Sequence, residues 1–127
     1  MTQSQTKTVL IVDDSTLSRM LIRNLIVERH PDWTILEAAS GEAALELVGT
    51  TRPDLITLDL NMPGMNGLEA AVALNAQCPS AKLAVLTANV QDSIRQKVQA
   101  LGIFFVAMVE KPVTRAGVDK ILFGLAP

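Results

Sequence analysis

Asp54-Leu55-Ile56-Thr57-Leu58-Asp59-Leu60-Asn61-Met62-Pro63-Gly64-Met65-Asn66-Gly67 is the stretch that decides the fold. Leu55 to Leu58 is a short run bounded by a turn before it and breakers after it, which reads as a buried strand. Pro63, Gly64 and Gly67 forbid the strand from continuing. Asp59 is therefore left at the carboxyl edge of a sheet, the edge at which open α/β sheets bind their ligands.

Moving outward, the same strand-then-acid pattern recurs. Lys7 to Val12 reads as a β-branched and leucine run, as expected for a strand covered on both faces, and it ends in Asp13 and Asp14. Ser15 can cap the helix that follows, whose Leu17, Leu21 and Leu25, with Ile22 and Ile26 beside them, recur at helical spacing until His30 and Pro31 stop it. Trp33 to Ala38 is a second strand, and Ser40-Gly41-Glu42 starts a helix ending near Gly49. After the opening stretch, Asn66 and Glu69 resemble a capping box for a helix that carries Leu68, Val72 and Leu74 as far as Cys78 and Pro79.

Lys82 to Leu86 is the fourth strand, ending at Thr87. Its helix carries Val90, Ile94, Val98 and Leu101, with Gly102 just past its end. Ile103 to Val109 is the fifth strand, followed by Glu110 and Lys111. Pro112 then opens a last helix bearing Val113, Val118, Ile121, Leu122 and Leu125. Five strand-helix units imply a parallel sheet with helices on both faces, because right-handed crossovers return each strand to the same end. Asp13, Asp14, Asp59, Thr87 and Lys111 then share one rim.

Three carboxylates on one rim demand compensation. A pair ~4 Å apart repels by about 4 kcal/mol at an effective dielectric near 20. A divalent cation relieves this, and oxygen-only ligands suit Mg²⁺. Lys111 brings a positive charge, and Thr87 a hydroxyl beside the small Ala88. A carboxylate so surrounded is equipped to be phosphorylated. Read singly, each residue has a plainer role: Asp13 and Asp14 as helix-start acids, Lys111 as a solvated charge, Thr87 as an ordinary strand residue.

Taken together, Val12-Asp13-Asp14-Ser15, Asp59 to Gly67, Thr87-Ala88 and Lys111-Pro112 resemble, in order and spacing, the response-regulator receiver domain of the CheY-like superfamily. The resemblance extends from Thr8 to about Leu125. It implies a flavodoxin-like (βα)5 three-layer sandwich with a five-stranded parallel sheet in the order 2-1-3-4-5. Carried over by position, it makes Asp59 the phosphoacceptor for a phosphohistidine on a histidine kinase or phosphotransfer protein, with Thr87 and Lys111 binding the phosphoryl oxygens. Asp13, Asp14, Asp59 and the backbone carbonyl of Asn61 would hold Mg²⁺, with Asp13 able to act through water. The Lys111–Pro112 peptide would be cis. Phosphorylation would draw Thr87 inward and switch the surface of the fourth helix, fifth strand and fifth helix toward a downstream output protein or domain.

The chain departs from the family pattern in two places. Met108 stands three residues before Lys111, where the family usually has Tyr or Phe, and the Thr87 to Lys111 segment is about two residues longer. Phe104 or Phe105, which also read as core residues, would replace the aromatic if the extra residues form a bulge. Asn61 and Asn89 lie where attacking water would pass and so bear on the lifetime of the phosphoryl group.

Composition sets the outer bounds. The 127 residues suit a single domain over 1–127, with residues 1–6 as a flexible N-terminus. At 49% apolar and 19% charged the chain is not disordered, and its longest apolar runs fall well short of the ~20 residues of a membrane span. A net charge of −2 offers no basic face for nucleic acid. Cys78, the single cysteine, permits no internal disulfide, and the polar N-terminus has no signal-peptide pattern, both pointing to the cytoplasm. The expectation is a signalling domain that catalyses only its own phosphorylation and dephosphorylation. Two other readings stay open. An aspartyl-nucleophile phosphatase expects an acid where Asn61 stands and longer covering loops, and an interaction module working without phosphorylation would usually have lost an acid or the lysine. A nucleotide-binding flavodoxin-like protein is disfavoured because no glycine loop follows the first strand.

Overall fold

The central strands are buried nearly end to end, because their apolar side chains point alternately into two cores, one on each face of a single sheet. The structure, a computed structural model, describes residues 6–61, 67–88 and 92–125. Five strands, β1 (Thr8–Val12), β2 (Thr34–Ala38), β3 (Leu55–Asp59), β4 (Lys82–Thr87) and β5 (Phe105–Glu110), alternate with α1 (Thr16–Arg29), α2 (Gly41–Val48), α3 (Gly67–Gln77), α4 (Asp92–Ala100) and α5 (Arg115–Phe123). All strand pairs are parallel, in the order β2-β1-β3-β4-β5. The flavodoxin-like expectation holds.

Because successive strand residues face opposite sides, Leu10, Val12, Ile56 and Leu58 pack with α2 and α3, while Val9, Ile11, Leu55 and Leu86 pack with α1 and α5. The helix starts follow their side chains. The Ser15, Ser40 and Thr114 hydroxyl oxygens accept from the N–H groups of Ser18, Ala43 and Gly117. Gly102 takes a φ of 70°, the left-handed conformation that ends a helix cheaply only at glycine.

Several elements differ from the sequence expectation. On α1 the buried residues are Ile22 and Ile26, whereas Leu17 and Leu21 are exposed; the helix presents its isoleucine stripe to the sheet. Val72 is likewise exposed, because the small Ala70 and Ala71 let α3 approach closely with Leu74. Pro112 is not the first residue of α5. The Lys111–Pro112 peptide is cis, and α5 begins at Arg115 under the Thr114 cap. β5 starts at Phe105 rather than Ile103, and its register shifts: Leu83 pairs with Phe105 but Ala84 with Ala107, leaving Val106 as an extra residue. Of the N-terminus expected to be flexible over residues 1–6, all but Thr6 lie outside the described residues, as do the Pro63-Gly64 turn, the Asn66 cap, Asn89 and Val90.

Candidate functional site

Strand ladders continue just past the carboxyl edge and fix where each site residue emerges. Asp13 N–H donates to the Ala38 carbonyl at 3.0 Å, Leu60 N–H to Leu86 at 2.9 Å, and Lys111 N–H to Thr87 at 2.8 Å. Asp13, Asp59 and Thr87 are thereby set at the rim, and all three are buried, whereas Asp14 is exposed.

The two buried acids terminate their strands in the same way. Asp59 Oδ1 accepts from the Asn61 N–H at 3.0 Å, and Asp13 Oδ1 accepts from the Ser15 N–H at 2.9 Å. Each is an Asx turn, in which the carboxylate bonds backbone two residues on. Their second oxygens share one ammonium: Lys111 Nζ lies 2.8 Å from Asp13 Oδ2 and 3.4 Å from Asp59 Oδ2. Carboxylate oxygens of Asp13, Asp14 and Asp59 all fall within 4.8 Å of one another. An all-oxygen set with three negative charges fits a small hard cation.

Electrostatics at the rim follow from burial. Burial pushes the Asp59 carboxyl up and the charge of Asp13 adds to this, against the opposing Asn61 N–H and Lys111. For Lys111, burial works to lower the ammonium, but the hydrogen bond and charge of Asp13, with Asp59 behind them, outweigh it and raise it. Thr87 donates its hydroxyl to Asn61 Oδ1 at 3.1 Å, and the Ala88 N–H approaches the same oxygen at 3.4 Å. Asn61 thus touches both Asp59 and Thr87.

Sequence reasoning overlooked two residues of α1. Ser18 donates its hydroxyl to Asp13 Oδ2 at 2.7 Å. Arg19 donates to the Asp13 carbonyl at 2.6 Å and to Glu37 at 2.9 Å, with Arg23 also on Glu37 at 2.7 Å. Glu37 feels burial first, which would raise it, yet Arg23 and Arg19 hold its carboxyl below the usual range. An arginine or serine in a first helical turn looks like any solvated side chain in sequence, since only the fold brings the end of β1 beneath it.

The proposed aromatic substitutes do not reach the rim. Phe105 opens β5 and packs into the α2/α3 side, and Phe104 precedes it, 73% exposed, with Lys82 Nζ 5.9 Å from its ring. Both lie at the foot of β5, at the opposite end from Lys111: Phe105 pairs with Leu83 near the start of β4, and the one extra residue after it is too few to bring either ring up to the rim. Phe104 is therefore not a core residue. Met108 is half-buried on β5, and its carbonyl accepts from Lys120 at 3.5 Å. Beside the site, the exposed Leu17 and Leu21 form a groove with Ala88, Lys111, Pro112 and Val113. Among the described residues no helix is long and apolar enough to cross a membrane.

Comparison with known proteins matches residues 9–122 to the family model "Response regulator receiver domain". The chain is 37% identical over 116 residues to a protein-glutamate methylesterase/protein-glutamine glutaminase of Paramagnetospirillum magneticum, covering 89% of this chain and 33% of that protein. It spans about a third of that relative's length. It is 37% identical over 87 residues to the chemotaxis protein CheY of Listeria monocytogenes, covering 68% of this chain and 71% of that one. The structure of Vibrio cholerae chemotaxis protein CheY4 superposes with a TM-score of 0.84 at 27% identity, covering 96% of this chain and 100% of that chain.

Proposed function

The chain belongs to the response regulator receiver domain family, and from that premise we propose that Asp59 is its phosphoacceptor within residues 1–127 acting as one receiver unit. The observation that carries this is the buried Asp59 carboxylate with Lys111 Nζ 3.4 Å away and Asp13 and Asp14 beside it. A carboxylate raised by burial is poorly solvated and basic once ionised, which suits it to attack.

An Asp59 carboxylate oxygen attacks the phosphorus of a phosphohistidine on a histidine kinase or phosphotransfer protein. The new P–O bond forms as the P–N bond breaks, and the imidazole leaves with the electron pair. Asp13, Asp14, Asp59 and the Asn61 backbone carbonyl are the residues that would hold Mg²⁺, which when bound offsets charge on the transferring group. Lys111 turns from Asp13 toward the phosphoryl oxygens. Thr87 exchanges Asn61 for a phosphoryl oxygen, and the α4–β5–α5 surface changes with it to meet an output partner. The apolar groove of Leu17, Leu21, Pro112 and Val113, open beside Lys111, is where the donor would rest. The chain is a cytoplasmic signalling element that alters only itself.

The test is mass spectrometry after incubation with acetyl phosphate and Mg²⁺, alongside Asp59→Asn. One phosphoryl group should appear on the wild type, only with Mg²⁺ and not on the variant. Modification independent of Asp59 would sink the proposal.

A further inference from the structure

The Asp13 carboxylate is entirely buried, yet it faces three protein donors. Ser15 N–H is on Oδ1 at 2.9 Å, while Lys111 Nζ at 2.8 Å and the Ser18 hydroxyl at 2.7 Å share Oδ2. Of these, Lys111 is the one that the proposed phosphotransfer calls away. When it turns toward a phosphoryl group, Ser18 is the donor that Oδ2 keeps among the described residues. The geometry of α1 makes this possible. With Ser15 as the cap, Ser18 occupies the third helical position and its N–H already donates to Ser15 Oγ at 3.2 Å. Its Cβ leans toward the helix start, as all helical side chains do, so the hydroxyl is aimed back at the end of β1.

We infer that Ser18 is a positioning residue for the cation site, holding the Asp13 carboxylate in its ligating orientation through Oδ2 whether or not Lys111 is present. This rests on the reading of the acidic rim as a Mg²⁺ site. The physical reason is that groups hydrogen-bonded to a metal ligand fix its rotamer, and their removal commonly weakens metal binding by about 10- to 100-fold. Ser15 alone leaves Oδ2 unanchored, and Arg19 grips only the Asp13 carbonyl. Ser18 is thus the side chain besides Lys111 that fixes Oδ2 among the described residues.

The experiment titrates MgCl₂ into the unphosphorylated protein and reads Kd from the rise of the thermal unfolding midpoint, which ligand binding to the native state produces. Ser18→Ala should weaken Kd on the order of 10-fold, whereas Ser18→Thr, which keeps the hydroxyl, should stay near wild type. In an Asp13→Ala background, Ser18→Ala should add nothing. A role in stability alone would lower the metal-free midpoint and leave Kd unchanged. Equal Kd in wild type and Ser18→Ala, or an undiminished Ser18 effect without Asp13, overturns the inference alone. Absence of Mg²⁺ binding by the wild type overturns the cation reading and this inference with it.

Discussion

Thr87 donates its hydroxyl to the side-chain oxygen of Asn61 across 3.1 Å, tying the end of β4 to the loop that follows β3. In the proposed activated state the same hydroxyl serves a phosphoryl oxygen, so Asn61 competes with the phosphoryl group for it. A ligand that favours one state must overcome whatever holds the other.

Asn61→Ala should therefore tighten binding of the phosphoryl analogue beryllium fluoride. A hydrogen bond contributes roughly 0.5–1.5 kcal/mol net, so the gain should be about 2- to 12-fold. Titration in the presence of Mg²⁺, followed by the thermal midpoint, measures it. Unchanged or weaker binding would show that Asn61 does not restrain Thr87.

Asp59→Asn should raise stability, and more so at neutral than at acid pH. Burial, with Asp13 adding to it, raises the Asp59 carboxyl in the folded state above its unfolded value. The favourable contribution of the protonated acid is thus complete below the unfolded pKa and is lost as pH rises through the folded one. At pH 7 the folded protein carries a carboxylate that it disfavours, and the amide removes that burden. Urea unfolding of both proteins at pH 7 and near pH 3 checks the sign; a difference that grows toward acid would contradict it.

Gly67→Ala should destabilise by about 1–3 kcal/mol or more, as overpacking against backbone does. A Cβ at the first residue of α3 would collide with the Leu60 Cα and stand 2.7 Å from the Asp59 carbonyl oxygen. Because neither atom is the tip of a flexible side chain, the helix itself must move. Equilibrium denaturation of the variant gives the magnitude, and a loss under about 0.5 kcal/mol, the range of an ordinary surface substitution, would mean α3 has room that its contacts do not reveal.

Thr57→Val should stabilise by about 1 kcal/mol. The Thr57 side chain is fully buried on β3, and its hydroxyl has no partner among the described residues. Valine keeps the branched shape and removes the unsatisfied group. A matched pair of urea curves should show a higher midpoint with an unchanged slope; a lower midpoint would mean that the hydroxyl is solvated after all.

The framework of the fold was legible because strand burial writes itself as apolar runs and caps as Ser15, Ser40 and Gly102. Helix faces were harder to read. Leu17 and Leu21 share the spacing of Ile22 and Ile26, and only the direction of the helix across the sheet decides which stripe is buried. The site acids and Lys111 were readable from their places after strands. Ser18 and Arg19 were not, since their bonds to Asp13 depend on how α1 folds back over β1.

The extra residue in β5 has a consequence of parity. Val106 and Ala107 are neighbours in sequence yet both face the α1/α5 side, whereas Phe105 faces the other. From Ala107 onward the odd-numbered positions Val109 and Lys111 follow that side, toward Asp13 and Asp59. Were the strand one residue shorter here, with Phe105 kept in its place, every later side chain would change sides and the ammonium would emerge away from the acids. An insertion far from the rim therefore sets which side of the sheet receives the positive charge, and this stretch of β5 can tolerate changes in length only in steps of two.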